Sequence, residues 1–212
     1  MTYSVHEMFF TLQGEGANTG RPAIFCRFAG CNLWTGREAD RASAICQFCD
    51  TDFVGVGPDG GSFASPADLV KAVVAKWPSA GSSSARPFVV CTGGEPLLQL
   101  DARLVDEFHA ANCELAVETN GTRLPPGGID WICVSPKANA PFVLNHGDEL
   151  KLVYPQEGAE PERFAELNFR HFFLQPMDGP NREANTRKAI AYCLQHPQWR
   201  LSVQTHKVLG LR

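Results

Sequence analysis

Seven short apolar segments recur along the chain, and this repetition restricts its possible folds more than any other feature. They cover residues 23–28, 88–91, 115–117, 131–134, 150–153, 171–174 and 201–203. Short continuous apolar strands are typical of a parallel sheet that is covered on both faces. Parallel neighbours need a crossover connection, which is usually an α-helix. The pattern therefore predicts an α/β fold.

Helical patterns lie between some of these segments. Ser65 is a good N-cap and Pro66 suits the first helical position, so a helix is predicted over 66–77. Further helices are predicted over about 96–111, over about 182–195, where Pro197 ends the pattern, and over a short stretch at 161–167. Residues 81–84, Gly-Ser-Ser-Ser, predict a flexible surface loop.

The connections after Glu118 and after Ser135 are too short for regular crossover helices. Each has only about a dozen residues, rich in Pro, Gly and Asn, before the next apolar segment. The β/α repeat therefore loses helices in the second half of the chain. We predict an incomplete, open β/α barrel with about six parallel strands and a reduced number of helices, forming one domain over residues 1–212.

Charge and hydropathy exclude several classes of protein. A formal net charge of -4 argues against a nucleic-acid backbone as the main partner, which would favour a basic face. No apolar run approaches the length of a membrane span, and no charged-then-apolar leader opens the chain. We expect a cytoplasmic protein whose partners include neither nucleic acid nor membrane.

Three of the eight cysteines lie in a loop, whereas most of the others lie within apolar segments. Fourteen residues separate Cys31 from Cys46, and two separate Cys46 from Cys49. Three thiolates can hold an iron–sulfur cluster and leave one iron open to a small molecule. A zinc site completed by a distant Cys or His, or a structural loop without metal, remains an alternative.

The other suggestive motifs also follow predicted strands. They read TGGEP at 92–96, ETNG at 118–121, SPK at 135–137 and QPMDG at 175–179. In β/α barrels, function gathers on loops at the carboxyl ends of strands, so these motifs should share one face. Taken singly, TGGEP also fits a tight strand-to-helix turn, and Asn120-Gly121 also fits a hairpin turn.

Together these residues resemble the radical S-adenosylmethionine superfamily and, within it, the 7-carboxy-7-deazaguanine synthase family. The resemblance covers nearly the whole chain, from FTLQGEG at 10–16 through the cysteine loop, TGGEP, VETNG, VSPK, KLVYP and LQPMDG to VQTHK at 203–207. The superfamily usually spaces its cysteines C-x3-C-x2-C, whereas the first gap here is fourteen residues. The departure is interpreted as an insertion at about 32–45.

The resemblance implies a chemistry and a set of cofactors. Cys31, Cys46 and Cys49 would bind a [4Fe–4S] cluster, and Thr51 would bind Mg²⁺. The open iron would bind S-adenosyl-L-methionine, whose reductive cleavage gives a 5′-deoxyadenosyl radical. The reaction would be ring contraction of 6-carboxy-5,6,7,8-tetrahydropterin to 7-carboxy-7-deazaguanine with loss of ammonia, a step of queuosine biosynthesis. An electron donor such as flavodoxin and a homodimer are also implied.

Residue roles follow from the same resemblance. The residues implied to contact S-adenosylmethionine are Phe48, Gly94, Glu95, Glu118, Asn120, Ser135, Lys137, Gln175 and Met177. The residues implied to contact the pterin are Leu12, Gln13, Gly14, Glu15, Gly16, Arg27, Thr92 and His206.

Two other functions remain open at this stage. A radical activase that abstracts hydrogen from a glycine of another protein would share the cysteines and TGGEP, but it would not need Gln13, Glu15 and Arg27 as a pterin site. A zinc- or cluster-bearing interaction module would not be an enzyme at all.

Overall fold

The structure is a computed structural model that describes residues 2–78 and 85–211. Within these residues, one open sheet contains nine strands in the order β3-β1-β2-β4-β5-β6-β7-β8-β9. Their bounds are β1 Tyr3–Leu12, β2 Pro22–Phe28, β3 Gly61–Phe63, β4 Phe88–Gly93, β5 Glu114–Thr119, β6 Trp131–Val134, β7 His146–Tyr154, β8 Asn168–Pro176 and β9 Trp199–Leu201. From β2 to β9 all neighbouring strands are parallel, while β1 is antiparallel to both β2 and β3.

The predicted open β/α architecture is confirmed. The seven apolar segments of the sequence all fall on strands of the parallel part of the sheet or, for 201–203, at the end of one. The two outer strands β1 and β3 extend the sheet beyond the predicted parallel part. No α-helix lies between β5 and β6, between β6 and β7 or between β7 and β8 in the described chain. The predicted loss of helices in the second half is therefore observed.

Four α-helices are present in the described residues: α1 Pro66–Val74, α2 Ala102–Ala110, α3 Arg182–Gln195 and α4 Thr205–Leu209. The bounds predicted for α3 are confirmed. Ser65 caps α1 by accepting a hydrogen bond from the Asp68 amide, as predicted. The helix nevertheless ends before residue 77, because the last amides donate to the carbonyl three residues back, as in a 3-10 helix. Helix α4 was not predicted.

The prediction of one continuous helix over 96–111 is wrong. A 3-10 turn at Pro96–Leu98 is followed by a break, and α2 begins after Asp101. Asp101 accepts a hydrogen bond from the Leu104 amide at 3.0 Å and another from the Tyr3 hydroxyl at 2.9 Å. An N-cap tied to a neighbouring strand in this way fixes where the helix starts.

The prediction of a helix over 161–167 is also wrong. Only a 3-10 turn at Pro161–Arg163 forms there, too short to count as a helix of the fold. The loop predicted at 81–84 lies outside the described residues.

The two faces of the sheet have different roles. Side chains alternate between the faces of a strand, and one set, including Ile24, Val89 and Leu115, packs under α1 and α2. Full burial of such a side chain contributes about 1.5–3 kcal/mol. On the opposite face, Phe88 and Val90 belong to a smaller apolar cluster that forms the floor of the barrel. Polar side chains occupy this face nearer the carboxyl ends of the strands. No helix in the described part of the chain is long and apolar enough to cross a membrane.

Candidate active site

A cavity of about 580 Å³ opens at the carboxyl ends of the parallel strands. The loops after β2, β4, β5 and β6 line it, together with the ends of β7 and β8 and the C-terminal segment. Most residues singled out by the sequence lie on its wall, namely Leu12, Gln13, Gly14, Glu15, Arg27, Cys31, Cys46, Phe48, Cys49, Thr51, Thr92, Gly94, Glu118, Asn120, Ser135, Lys137, Gln175 and His206. Three others, Gly16, Glu95 and Met177, do not line it.

The insertion at 32–45 has a defined path, which the side chain of Arg41 holds together. Its guanidinium lies 4.1 Å from the centre of the Trp34 ring and donates hydrogen bonds to the carbonyls of Gln47 (2.9 Å) and Cys49 (3.0 Å). Arg41 comes from a 3-10 helix at Glu38–Ser43 within the insertion. One cation thus braces the backbone on both sides of Phe48, and nothing in the sequence marked Arg41 for this role.

The three loop thiols share one wall of the cavity. The Leu33 amide donates a hydrogen bond to Cys31 Sγ at 3.4 Å. A hydrogen bond from Cys46 lowers the pKa of Cys49 to about 6, and the same bond raises the pKa of Cys46. Within the described residues, no three His, Cys, Asp or Glu side chains form the compact group that a single metal ion would need. The donor set of three thiols on an open cavity fits a cluster ligated by Cys.

The TGGEP loop packs directly on the backbone that precedes Cys31. Gly93 has a φ of 129°, and a Cβ there would overlap the Phe28 backbone. A Cβ on Gly94 would overlap the Gly30 carbonyl, to which the Glu95 amide donates at 2.9 Å. Both glycines are therefore needed for the close approach of two backbones.

Glu95 is fully buried, and its carboxylate is used within the protein. It accepts hydrogen bonds from the Leu97 amide (2.9 Å), the Thr119 hydroxyl (2.8 Å) and the Asn120 amide (2.8 Å). Burial raises the pKa of Glu95, although these donors act in the opposite direction. The observed geometry makes Glu95 a brace between the TGGEP and ETNG loops.

We expect Glu95→Ala to lower the free energy of unfolding by about 3 kcal/mol or more, because three buried donors lose their acceptor at about 1–3 kcal/mol each. Urea unfolding followed by circular dichroism measures the loss. Asp106→Ala, at an exposed position of α2, is the matched control and should change stability little. Equal stability of Glu95→Ala and the control would contradict the bracing role.

The ETNG segment ends a parallel strand and is not a hairpin turn. Glu118 Oε1 accepts a hydrogen bond from Gln13 Nε2 at 3.0 Å, and Oε2 accepts one from Thr92 Oγ1 at 3.3 Å. Asn120 donates to the Asn32 side chain at 2.9 Å, which ties this strand end to the cysteine loop.

Lys137 of the SPK motif extends from the end of β6 toward the cysteines. Its Nζ donates to the carbonyl and hydroxyl of Ser135 at 2.6 and 2.7 Å. Burial lowers the pKa of Lys137, while Cys46 and Cys49 act in the opposite direction. A half-buried cation thus faces two of the three thiols.

Glu15 lies at the centre of a second polar group in the cavity. Its carboxylate accepts hydrogen bonds from Lys151 (2.6 Å), Gln204 (3.1 Å) and Gln175 (3.2 Å). The sequence reasoning missed Lys151 and Gln204. A lysine within the otherwise apolar segment 150–153 was the available signal for Lys151.

Arg27 and Glu7 form an ion pair at the same level of the cavity. Arg27 Nε donates to Glu7 Oε1 at 2.8 Å, and both side chains line the cavity. The pair lies on the first two strands, β1 and β2, where Glu7 and Arg27 are register partners.

The C-terminal segment closes one side of the cavity. The Thr205 amide donates to the Gly14 carbonyl at 2.9 Å, and a Cβ on Gly14 would overlap His206. Lys207 bridges Asp50 of the cysteine loop and Asp178 of the QPMDG loop. The glycine at 14 is thus required by the docking of α4.

Gly16 and Met177 are placed behind the wall. A Cβ on Gly16 would overlap the buried carboxylate of Glu149, and Gly16 has a φ of 68°. The Met177 carbonyl accepts a hydrogen bond from Asn185 at 3.0 Å, which joins the loop after β8 to α3.

Comparisons with known proteins identify the family of the chain. The chain is 65% identical to the 7-carboxy-7-deazaguanine synthase of Caulobacter vibrioides and 64% identical to that of Bordetella pertussis, over 100% of each chain. The crystal structure of QueE from Escherichia coli is similar with a TM-score of 0.73 and 30% identity, covering 97% of this chain and 95% of that one. No family model matches the chain. Identity at this level over the full length of both chains shows that the chain belongs to the family of 7-carboxy-7-deazaguanine synthases, which are enzymes.

Proposed function

We propose that this chain converts 6-carboxy-5,6,7,8-tetrahydropterin into 7-carboxy-7-deazaguanine with loss of ammonia, as a radical S-adenosylmethionine lyase of queuosine biosynthesis. The proposal rests mainly on one observation: two chemically different groups of residues line the same cavity. One wall holds the thiols of Cys31, Cys46 and Cys49, and the other holds Glu15 and Arg27. A metal-binding module would need the first wall only.

Cys31, Cys46 and Cys49 would ligate a [4Fe–4S] cluster. With S-adenosylmethionine bound, such a cluster supplies a 5′-deoxyadenosyl radical that abstracts hydrogen from the substrate. Arg41 would support this wall by bracing the backbone on both sides of Phe48. The half-buried ammonium of Lys137 would balance the negative charge that thiolates bring.

The cofactor contacts would come from the same side. Phe48, Gly94, Asn120, Ser135 and Lys137 line the cavity beside the thiols. Gly94 has no side chain, so it would contact the cofactor through its backbone. Glu118 and Gln175 lie between this region and Glu15, while Glu95 and Met177 would act through the loops that they hold.

The substrate contacts would come from the opposite wall, formed by Leu12, Gln13, Gly14, Glu15, Thr92 and His206 with Arg27. Glu15 can accept parallel hydrogen bonds from the amino and ring N–H groups of a pterin. Glu7 holds Nε of Arg27, and the terminal nitrogens of the guanidinium would bind the carboxylate of the substrate. Opposite ends of the substrate would thus be recognised by opposite charges.

The Mg²⁺ assignment rests on Thr51, which lines the cavity next to the cysteine loop. A neutral hydroxyl is a weak ligand for a hard cation, so the substrate carboxylate would complete the coordination shell. We expect Mg²⁺ to tighten pterin binding and the pterin to tighten Mg²⁺ binding by the same factor, since coupling of two ligands is reciprocal. Thr51→Ala should weaken this coupling.

Titration of the reconstituted protein with the pterin, with and without Mg²⁺, measures the coupling directly. Thr35→Ala is the matched control, because Thr35 hydrogen-bonds to Asp40 on the exposed part of the insertion. Identical pterin affinities of the wild-type protein with and without Mg²⁺ would refute the metal assignment.

A reductant and a partner subunit complete the proposal. The reaction needs an external electron, for which a flavodoxin-type donor is expected, and the family resemblance favours a homodimer in the cytoplasm. Turnover separates the proposed function from its rivals. Anaerobic protein supplied with S-adenosylmethionine, dithionite, Mg²⁺ and the pterin should form the deazaguanine, whereas a glycyl-radical activase would leave the pterin unchanged.

A further inference from the structure

Lys151 is a buried cation that lies between two leucines of β7. Its side chain is 5% exposed and lies on the cavity face of β7, whereas Leu150 and Leu152 point to the helix-covered face. A buried charge is costly unless it is closely paired. Packing alone therefore does not account for a lysine at position 151.

The ammonium of Lys151 lies between two carboxylates that both line the cavity. Its Nζ is 2.6 Å from Glu15 Oε2 and 3.5 Å from Glu118 Oε1. Burial alone would lower the pKa of Lys151, but Glu118 and Glu15 outweigh that effect and raise it well above the usual value. Burial would likewise raise the pKa of Glu15, and Lys151 outweighs it. The arrangement keeps the cation and Glu15 charged.

Other titratable groups face this pair from neighbouring elements. Glu149 is buried on β7 itself, Cys133 lies on β6, His206 lies on α4, and Lys137 follows β6. Glu149 is engaged by the Ala17 amide at 2.9 Å, lies next to Gly16 and does not line the cavity. Lys151 is thus the charged donor that Glu15 contacts directly.

Stability does not explain the pair. Replacing a buried ion pair by apolar residues of similar volume is often neutral or stabilising. Glu15 is further restrained by Gln175 and Gln204, whose amides fix Oε1 while Lys151 fixes Oε2. Three donors on a single carboxylate set its direction within the cavity.

We propose that Lys151 is a positioning residue that holds Glu15 in the orientation needed to accept hydrogen bonds from the ring N–H and amino groups of the pterin. The proposal rests on the proposed function, in which Glu15 contacts the substrate. Lys151 acts through Glu15, so its effect on pterin binding requires the Glu15 carboxylate.

A double-mutant cycle tests this dependence. Pterin affinity is measured by anaerobic titration of reconstituted wild-type protein, Glu15→Gln, Lys151→Met and the double variant. We expect each single variant to bind the pterin about 10- to 100-fold more weakly, and the double variant to bind no more than about threefold more weakly than Glu15→Gln. Lys188→Met, on the exposed side of α3, is the matched control and should bind like the wild type.

Several outcomes would overturn the proposal. Wild-type affinity in folded Lys151→Met would do so, as would additive losses in the double variant, since Lys151 would then act independently of Glu15. If Lys151→Met does not fold, Glu15→Gln and the double variant decide. Equal affinities support the proposal, and a much weaker double variant refutes it. Absence of pterin binding by the wild-type protein would overturn the proposed function itself, and this role with it.

Discussion

Cys31→Ala, Cys46→Ala and Cys49→Ala should each abolish cleavage of S-adenosylmethionine, the largest effect expected of any substitution in this chain. The three thiols are the cysteines that line the cavity wall in the cysteine loop, and a cluster deprived of one of three protein ligands is not held in a defined place. Iron content, the visible absorbance of the reconstituted protein and 5′-deoxyadenosine formation measure the loss.

Cys193→Ser is the matched control for these variants. Cys193 lies on α3 and is half-buried against the hydrophobic core cluster that includes Leu150 and Leu152. Its replacement should therefore leave iron content and cofactor cleavage unchanged. Cofactor cleavage at the wild-type rate in any of the three alanine variants would remove that residue from the ligand set. Loss of iron from Cys193→Ser would show that the ligands are misassigned.

Arg27→Ala should produce the second largest effect, and a different kind of effect. Without its guanidinium the cavity loses the group proposed to bind the substrate carboxylate, at about 1.5–3 kcal/mol for each charged hydrogen bond. Turnover of the pterin should therefore fall by about 10- to 150-fold or more per bond, while the cluster forms and cleavage of S-adenosylmethionine without substrate persists. Comparing the two rates in one preparation separates substrate binding from cofactor chemistry.

Arg170→Ala provides the control for removing an arginine. Arg170 is largely exposed on β8 and pairs with Asp148 at 3.1 Å, away from the cavity, so both activities should match the wild type. An equal loss of turnover and of uncoupled cleavage in Arg27→Ala would argue against a substrate role for Arg27.

The parallel sheet was predictable because it depends on local signals. Apolar segments marked its strands, and short Pro- and Gly-rich connections marked the crossovers without helices. The break between Leu98 and Ala102 was not predictable in the same way. It depends on Asp101 binding Tyr3, which is 98 residues away in the sequence, and no local pattern encodes that contact.

The same distinction between local signals and tertiary contacts applies to the candidate site. Cysteines, glycines and strand-end motifs are recognisable one at a time, so most of the residues singled out by the sequence do lie on the cavity wall. Lys151 and Arg41 were not, because each acquires its role from partners brought together by the fold: Glu15 and Glu118 for Lys151, the insertion backbone for Arg41. Glu95 was expected to face a ligand, and tertiary contacts with Thr119 and Asn120 place it behind the wall.

The most direct measurement of the central claim is the stoichiometry of the anaerobic reaction. Reconstituted protein is incubated with S-adenosylmethionine, dithionite, Mg²⁺ and 6-carboxy-5,6,7,8-tetrahydropterin, and the products are quantified by mass spectrometry together with released ammonia. The account predicts equal amounts of 7-carboxy-7-deazaguanine and ammonia, with no product from Cys49→Ala. Cleavage of S-adenosylmethionine that leaves the pterin unconsumed, or consumption of the pterin without ammonia, would contradict it.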